Sequence, residues 1–374
     1  MSKINVRSPY FIYDNSVDGS NALSFLRVRI RIYEGNYSTS MLLFQYEINS
    51  TPIDGKATVE VSELVRDYIE NNFDGDYTNS AKWVNLEVYR VYDGGSSSTY
   101  LQTLAAFDGY GYFEDGSNPQ NYQTVLQSNK TIYKYSDEPL RLPVHITTST
   151  EFTFLQDGTS IYNTTLGTSS NSSNIIRYVS SETAGIHSWQ DRVEGNGGTI
   201  ESLDCVKYHL GDVDLYGVDT IYVNDGNTVE VYKVENIEEC KYNPYKVTFV
   251  NKFGALQDLW FFKRSNLSLQ TKEESYKANI VNNGTYSINS RQKTVFNKTG
   301  VEKLQLNTGF YPESYNEIFR QLTLSEEVWM NYNGDTLPIT VMSSNLNYKT
   351  SLNDKLINYT IDVEFANNKI NNIR

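Results

Sequence analysis

Apolar and polar side chains alternate along many stretches of this chain, and that period predicts β-strands. From Leu26 to Ile32 every second side chain is apolar, as expected for a strand with one buried face. The same period recurs at residues 44–48, 57–61, 83–92 and 99–107. Strands of this kind predict an antiparallel sheet with one face against a core.

One short helix interrupts these strands. Ser62 is a typical N-cap residue, and apolar side chains follow it at helical spacing as far as Ile69. The pattern predicts a helix from Ser62 to about Asn71. With the strands, it predicts an antiparallel β-sandwich module with one short helix over residues 1–137.

The middle region, residues 138–240, is predicted to be a second β-rich module of short strands. Asp225-Gly226 lies between alternating runs at 220–223 and 228–234, which predicts a tight hairpin. The stretch from Gly158 to Asn174 is dominated by Ser, Thr, Asn and Gly and is predicted to be a loop.

The densest apolar and aromatic stretch runs from Lys246 to Arg264. Two β-rich runs there flank Asn251-Lys252-Phe253-Gly254, which predicts a hairpin. We expect this hairpin to lie centrally in a sheet, with Trp260 and Phe262 in the core or at a subunit interface. Strands at 269–279, 293–296, 301–306 and onward to residue 365, with a helix after Pro312, predict a C-terminal β-sandwich with one helix over residues 241–374.

Charge and cysteine content restrict the function classes. The 374 residues carry a net charge of −13, which argues against a general nucleic-acid binder because such proteins need a positive surface. Arg27, Arg29 and Arg31 share a strand face, which favours a solvated face or a subunit contact over a phosphate site. The two cysteines, Cys205 and Cys240, predict free, partly buried thiols.

No pattern of residues predicts catalysis or metal binding. His145, His187 and His209 are isolated in sequence, and Ser188 has no nucleophile motif around it. Asp212–Gly217 begins like a calcium loop but lacks the later ligands, so it predicts an acidic turn. We therefore predict no enzymatic activity, no cofactor and no metal ion.

Residues 108–116, DGYGYFEDG, combine glycines with aromatic side chains, and we call them the glycine loop. No helix pattern follows, so the sequence predicts a surface loop that acts as a contact site rather than a phosphate cradle. The N-terminal residues show no apolar signal segment, and no run approaches the roughly 18 apolar residues of a membrane helix. We expect synthesis in a cytoplasm and no membrane partner.

Several motifs resemble virion proteins of tailed phages that infect Bacteroidota, including crAss-like phages. In the C-terminal third these are LNTGF at 306–310, LSEEVWM at 324–330 and the stretch from Leu337 to Asn368. Near the N-terminus VSELVRDYIENNF at 61–73 and LAAFDGYGYFEDG at 104–116 are similar to the same group.

The resemblance implies a structural role and brings no catalytic residues. It implies a ring-forming neck, tail or baseplate subunit in the virion, with copies of itself and neighbouring tail or neck proteins as partners and nucleic acid only as material passing through the ring. The alternative is a carbohydrate-recognising receptor-binding protein of the tail; a glycan-degrading enzyme is the weakest of the three. The candidate interface residues are Tyr110, Tyr112, Phe113, Trp260, Phe262, Phe310 and Trp329.

Overall fold

The fold is seen in a computed structural model and is mainly β, as the alternation predicts. The structure describes residues 3–120, 123–135, 138–169, 172, 174–180, 207–208, 217–342 and 356–370. Several sequence predictions lie outside these ranges: the strands that the same alternation predicts at 346–349 and over most of 200–209, the greater part of the acidic turn, and His187, Ser188, Cys205 and His209. Cys240 is a free thiol as predicted, but it is exposed and not partly buried.

Twenty-four strands are described. The first twelve are β1 Lys3–Asn5, β2 Phe11–Asp14, β3 Leu23–Tyr33, β4 Leu42–Ser50, β5 Ala57–Glu60, β6 Lys82–Tyr92, β7 Ser97–Phe107, β8 Thr131–Lys134, β9 Arg141–Val144, β10 Thr150–Gln156, β11 Thr159–Leu166 and β12 Arg177–Ser180. The others are β13 Lys207–Tyr208, β14 Thr220–Asn224, β15 Val229–Asn236, β16 Tyr245–Val250, β17 Leu256–Phe261, β18 Asn266–Lys277, β19 Lys293–Asn307, β20 Tyr311–Pro312, β21 Val328–Tyr332, β22 Asp335–Val341, β23 Leu356–Ile357 and β24 Thr360–Phe365.

Two α-helices are described, one in each region where a helix was predicted. They are α1 Ser62–Arg66 and α2 Asn316–Leu324, and short 3₁₀ turns occur at Thr39–Met41, Phe113–Asp115 and Glu313–Tyr315. The predicted combination of antiparallel sheets with one helix near the N-terminus and one near the C-terminus is confirmed.

The described chain divides into two compact units. Unit 1 comprises Met1–Glu238 and Thr248–Leu259, and unit 2 comprises Glu239–Val247 and Trp260–Arg374. The tip of the hairpin made by β16 and β17 therefore belongs to unit 1 and its base to unit 2. The three predicted domains, 1–137, 138–240 and 241–374, stay a prediction.

Unit 1 contains two separate apolar cores. The first lies under a five-stranded sheet of order β1-β7-β6-β3-β4, in which only β1 pairs in parallel. Leu26, Val28, Ile30 and Ile32 from β3 are fully buried there, as their alternation predicts. Val65 of α1 closes the same core.

The second core of unit 1 lies among two further sheets. Their orders are β11-β10-β14-β15-β8 and β13-β12-β9, and the core includes Phe152, Phe154, Val179 and Ile221. The hairpin predicted at Asp225-Gly226 is confirmed, because β14 and β15 pair antiparallel on either side of it.

Unit 2 is built on α2 and on strands of a large sheet. The sheet has the order β17-β16-β21-β22-β24-β19-β18, and its strands β18, β19, β21, β22 and β24 lie wholly in unit 2. The prediction that the β16–β17 hairpin lies centrally in its sheet is wrong, because β17 is the last strand of this order among the described residues. Ile318, Phe319 and Leu322 of α2 are buried, and the Phe319 ring lies 4.5 Å from the ring of Tyr359. The helical apolar stripe predicted after Pro312 thus forms a core element of this unit.

Three further predictions of local secondary structure are wrong. The helix that starts at Ser62 ends at Arg66, and Ser62 does not cap it: its amide and hydroxyl both donate to the Glu60 carboxylate. Residues 159–166, predicted to be loop, form β11, because Asp157-Gly158 turns the chain back onto β10. The two strands predicted at 293–296 and 301–306 are one strand, β19, which continues through Gly300.

Candidate functional site

The glycine loop lies against the tip of the β16–β17 hairpin within unit 1. The amide of Tyr110 donates to the carbonyl oxygen of Lys252 at 2.9 Å, and Gly109 forms an isolated antiparallel bridge with Phe253. The loop is therefore fixed through its backbone to a segment about 140 residues later in the chain.

Glycine is required at this contact by lack of space. A Cβ on Gly254, whose φ is +76°, would lie 2.6 Å from the amide nitrogen of Asp108. A Cβ on Gly109 would lie 2.7 Å from the carbonyl oxygen of Lys252. Real Cβ atoms do not approach so closely, so the two backbones touch only because both positions lack side chains.

The base of the loop is held by a buried ion pair. Asp108 accepts two hydrogen bonds from the Arg7 guanidinium, each of 2.7 Å, and a third of 2.8 Å from the Asn71 amide. Two parallel bonds to one carboxylate fix orientation as well as distance. The loop leaves the sheet in one direction set by these three side chains.

The aromatic residues of the loop differ in accessibility. The rings of Tyr110 and Tyr112 are half-buried, meet edge to face at 5.7 Å, and Tyr112 lies under the Lys252 ammonium at 5.3 Å. The Phe113 side chain is 99% exposed. The loop thus presents one fully open aromatic ring beside two rings already engaged within the unit.

The candidate interface residues of unit 2 divide in the same way. Trp260 and Trp329 are buried, with 6% and 8% of their surface exposed. Phe262 is half-buried and packs against Tyr311 at 5.6 Å, whereas Phe310 is 62% exposed. Of these four, Phe310 is the side chain most open to an incoming molecule.

The stripe of arginines on β3 is balanced by glutamates from the neighbouring strands. Arg29 contacts Glu47 of β4 and Glu87 of β6, each at 3.0 Å. Arg31 also contacts Glu87, and Arg27 contacts Glu47, at 2.7 and 3.1 Å. The face is solvated and internally paired, in agreement with the interpretation favoured from sequence.

His145 is a core residue of unit 1. It is 2% exposed, and its Nδ1 lies 2.9 Å from the carbonyl oxygen of Ile175. Burial is the main cause that lowers the pKa of His145 to about 3, with a smaller contribution from nearby Lys3, so the ring is neutral at physiological pH. Lys3 is itself buried, and desolvation lowers its pKa to about 7.

The most exposed regular structure is a β-ribbon in unit 2 that we call the arm, residues 266–307. It consists of β18, the connection from 278 to 292, and β19. β18 pairs with β19 along its whole length, from Asn266↔Gln305 to Lys277↔Lys293. On its other side β19 pairs with β24 only from Lys303 to Asn307. Among the described residues, β19 from Lys293 to Glu302 therefore pairs with no strand other than β18, and its outer edge is contacted at Gly300, whose carbonyl oxygen accepts a hydrogen bond of 2.7 Å from the Lys369 amide.

The arm exposes apolar side chains on both strands and at its tip. Every residue of β18 is exposed. Leu269 is 55% exposed, and the paired rings of Tyr276 and Phe296, 6.1 Å apart, are 52% and 64% exposed. At the tip Ile288 is 92% exposed. Exposed apolar patches together with an open strand edge are typical of an assembly surface.

A cleft of about 350 Å³ opens at the base of the arm. Gln270, Lys272, Thr299, Lys303 and Glu364 contribute to its lining. Lys303 and Glu364, which are register partners on β19 and β24, form an ion pair of 3.1 Å, so Lys272 adds a positive charge to the lining. The cleft is therefore polar, with one more basic than acidic side chain in its lining.

β18 is predicted from the sequence, but the ribbon that it forms with β19 is not. The sequence feature that indicates this ribbon is Asn283-Gly284, midway between the two strands. Both residues have positive φ, 48° and 80°, as a type I′ hairpin turn requires. Asn282 and Thr285 bridge across that turn. Exposure on both faces could not be predicted, because β18 alternates only weakly and its neighbours were unknown.

In the described ranges no group of three or more His, Cys, Asp or Glu side chains could hold a metal ion. None of the helices described is long and apolar enough to cross a membrane. The chain matches no known protein family model, and no curated protein matches it significantly.

Proposed function

We propose that this chain is a structural subunit of a phage virion, a ring-forming protein of the neck, tail or baseplate that contacts other virion proteins. The arm carries this proposal. A two-stranded ribbon is marginally stable in water, and its open edges and apolar side chains invite pairing. Such a surface is costly to leave open unless a partner covers it in the assembled state.

Two further features support the same role. The motifs that resemble phage virion proteins include the glycine loop and the last strands of unit 2. The glycine loop is fixed by Asp108 and by backbone contacts, and it presents Phe113 outward. A rigid loop with one exposed ring is suited to contact with a neighbouring protein.

The test is quantitative mass spectrometry of purified phage particles. We expect the chain to be present in several copies per particle and to persist through density-gradient purification. Detection only in the infected-cell lysate, with none in purified particles, would contradict a virion role.

The second candidate is a carbohydrate-recognising protein of the tail, favoured by the 99% exposure of Phe113. A sugar ring could stack on this side chain and meet the polar residues beside it. A glycan array tests this candidate with the wild-type protein and the Phe113→Ala variant. Binding that the substitution abolishes supports glycan recognition; no binding by either protein excludes it for the glycans on the array.

A further inference from the structure

The arm has the geometry of an extension that reaches a second molecule. The part of β18 opposite the free part of β19 runs from Leu269 to Lys277, and at about 3.3 Å per residue it is roughly 30 Å long. Two strands about 4.8 Å apart make a ribbon about 10 Å wide, so its two faces together offer about 600 Å². With the connection from 278 to 292 added, the area is comparable to the surface that one partner buries in a stable interface, about 800 Å².

The charge of the arm is opposite to that of the rest of the chain. The arm contains six basic residues, Lys272, Lys277, Arg291, Lys293, Lys298 and Lys303, and three acidic residues, Glu273, Glu274 and Glu302. Its net charge is therefore +3, and because the whole chain carries −13, the remaining residues carry −16. Two copies of the acidic remainder repel each other, whereas the arm of one copy is attracted to the remainder of another.

The positive charge is concentrated where the arm is free of the sheet. Lys277 lies at the distal end of β18, and Arg291 lies in the connection. Both side chains are exposed, and neither forms an ion pair with any residue that the structure describes. Lys293 and Lys298 instead share Glu273, at 3.3 and 3.9 Å.

We infer that the arm docks on a second copy of this chain, with its basic distal half on the acidic surface of that copy and its apolar side chains covered in the contact. This inference rests on the proposed function and names the partner of the arm. An arm that contacts a different surface on the next copy makes a head-to-tail interface, and such an interface closes into a ring when its rotation permits.

The first test removes the distal arm from the full chain. Thr271 and Gly300 are directly opposite in the ribbon, so residues 272–299 can be replaced by Asn-Gly as a two-residue turn. The pairs of β19 with β24 remain intact. We expect the wild-type chain to sediment as an oligomer and the shortened chain as a monomer that still unfolds in one cooperative thermal transition, which shows that it is folded.

The second test keeps the arm and reverses its charge. We expect Lys277→Glu with Arg291→Glu to weaken self-association about tenfold, because two favourable surface charges become repulsive. Lys56→Glu with Lys233→Glu is the matched control: both lysines are exposed in unit 1 and the net charge changes equally. The dissociation constant of the control should lie within about twofold of the wild-type value.

Higher salt should weaken self-association of the wild type, because salt screens the attraction between charges.

The outcomes separate this inference from the proposed function. A monomeric wild-type chain, or an oligomer that survives removal of the arm, overturns the inference even when particles contain the protein. Equal weakening by both charge-reversed variants also overturns it. Binding to double-stranded DNA can be measured by fluorescence anisotropy for the wild-type and the shortened chain. If shortening abolishes DNA binding and leaves self-association unchanged, the arm binds nucleic acid and the inference is overturned. If the oligomers depend on the arm but purified particles lack the chain, the proposed function alone is overturned.

Discussion

The hydroxyl of Tyr77 donates to the carboxylate of Asp258, with distances of 2.6 and 2.7 Å to its two oxygens, although 181 residues separate them. Thr248 donates to the same carboxylate at 2.7 Å. Burial, followed by the Asp258 charge, raises the pKa of Tyr77 well above its usual value. The tip of the hairpin is thus tied into unit 1 by a buried, charge-assisted bond.

We expect Tyr77→Phe to lower the free energy of unfolding by about 1–3 kcal/mol, because Asp258 loses a donor that solvent cannot easily replace. Urea denaturation measures the change. Tyr13→Phe is the matched control, since 51% of Tyr13 is exposed to solvent. Equal effects of the two substitutions would show that the Tyr77 bond does not anchor the hairpin tip.

The contact between the glycine loop and the hairpin predicts a large effect of Gly254→Ala. The new Cβ would meet the Asp108 backbone at 2.6 Å in a residue with φ of +76°, so we expect a loss of about 2–5 kcal/mol. Gly226→Ala isolates the conformational part, because Gly226 has φ of +86° with nothing within 4 Å of a Cβ. The control should lose only about 1–2 kcal/mol. A Gly254 variant no less stable than the control would refute the close approach.

Trp260 and Phe310 differ in burial, so we expect their substitutions to differ in their effect on stability. Trp260→Ala should lower the free energy of unfolding by about 3–5 kcal/mol, because Trp260 is 6% exposed and its removal leaves a cavity. Phe310→Ala should change it by no more than about 0.5 kcal/mol, because Phe310 is 62% exposed. Thermal and urea unfolding of the two variants compare them directly, and a stable Trp260 variant would remove Trp260 from the core.

His145 predicts a pH dependence. Its folded pKa of about 3 lies below the unfolded value near 6.5, so the unfolded state binds a proton first as the pH falls. The wild type should lose stability relative to His145→Gln by up to about 1.4 kcal/mol per pH unit between pH 6 and 4. The measurement is the difference in unfolding free energy between the two proteins across that range. A constant difference would mean that the pKa of His145 is the same in the folded and unfolded states, which contradicts its burial as a neutral ring.

The strands that can be predicted from the sequence are those whose own residues alternate or flank a recognisable turn. β3 alternates strictly, Asp225-Gly226 fixes a hairpin, and the run from Lys246 to Arg264 contains both strands and the turn between them. β11 was missed because Ser, Thr and Asn dominate it, and its strand conformation comes from pairing with β10. α1 ends at Arg66, and Tyr68 just beyond it packs with Phe44 and Tyr46, a contact that no local pattern indicates.

The candidate site was less predictable for the same reason. The glycine loop was visible in sequence, but its partner Lys252 is distant in the chain and the need for glycine at 254 appears only in the folded backbone. Trp260 and Phe113 are both aromatic in sequence, and only burial assigns one to the core and the other to the surface. The arm could not be recognised because exposure depends on which strands are absent beside it.

Cryo-electron microscopy of purified phage particles tests the central claim most directly. A reconstruction with the symmetry of the neck, tail or baseplate should show copies of this chain in a ring, with residues 272–299 of each copy lying on the next one. A reconstruction in which no ring contains the two units of this chain, or in which each arm points into solvent, would contradict the account.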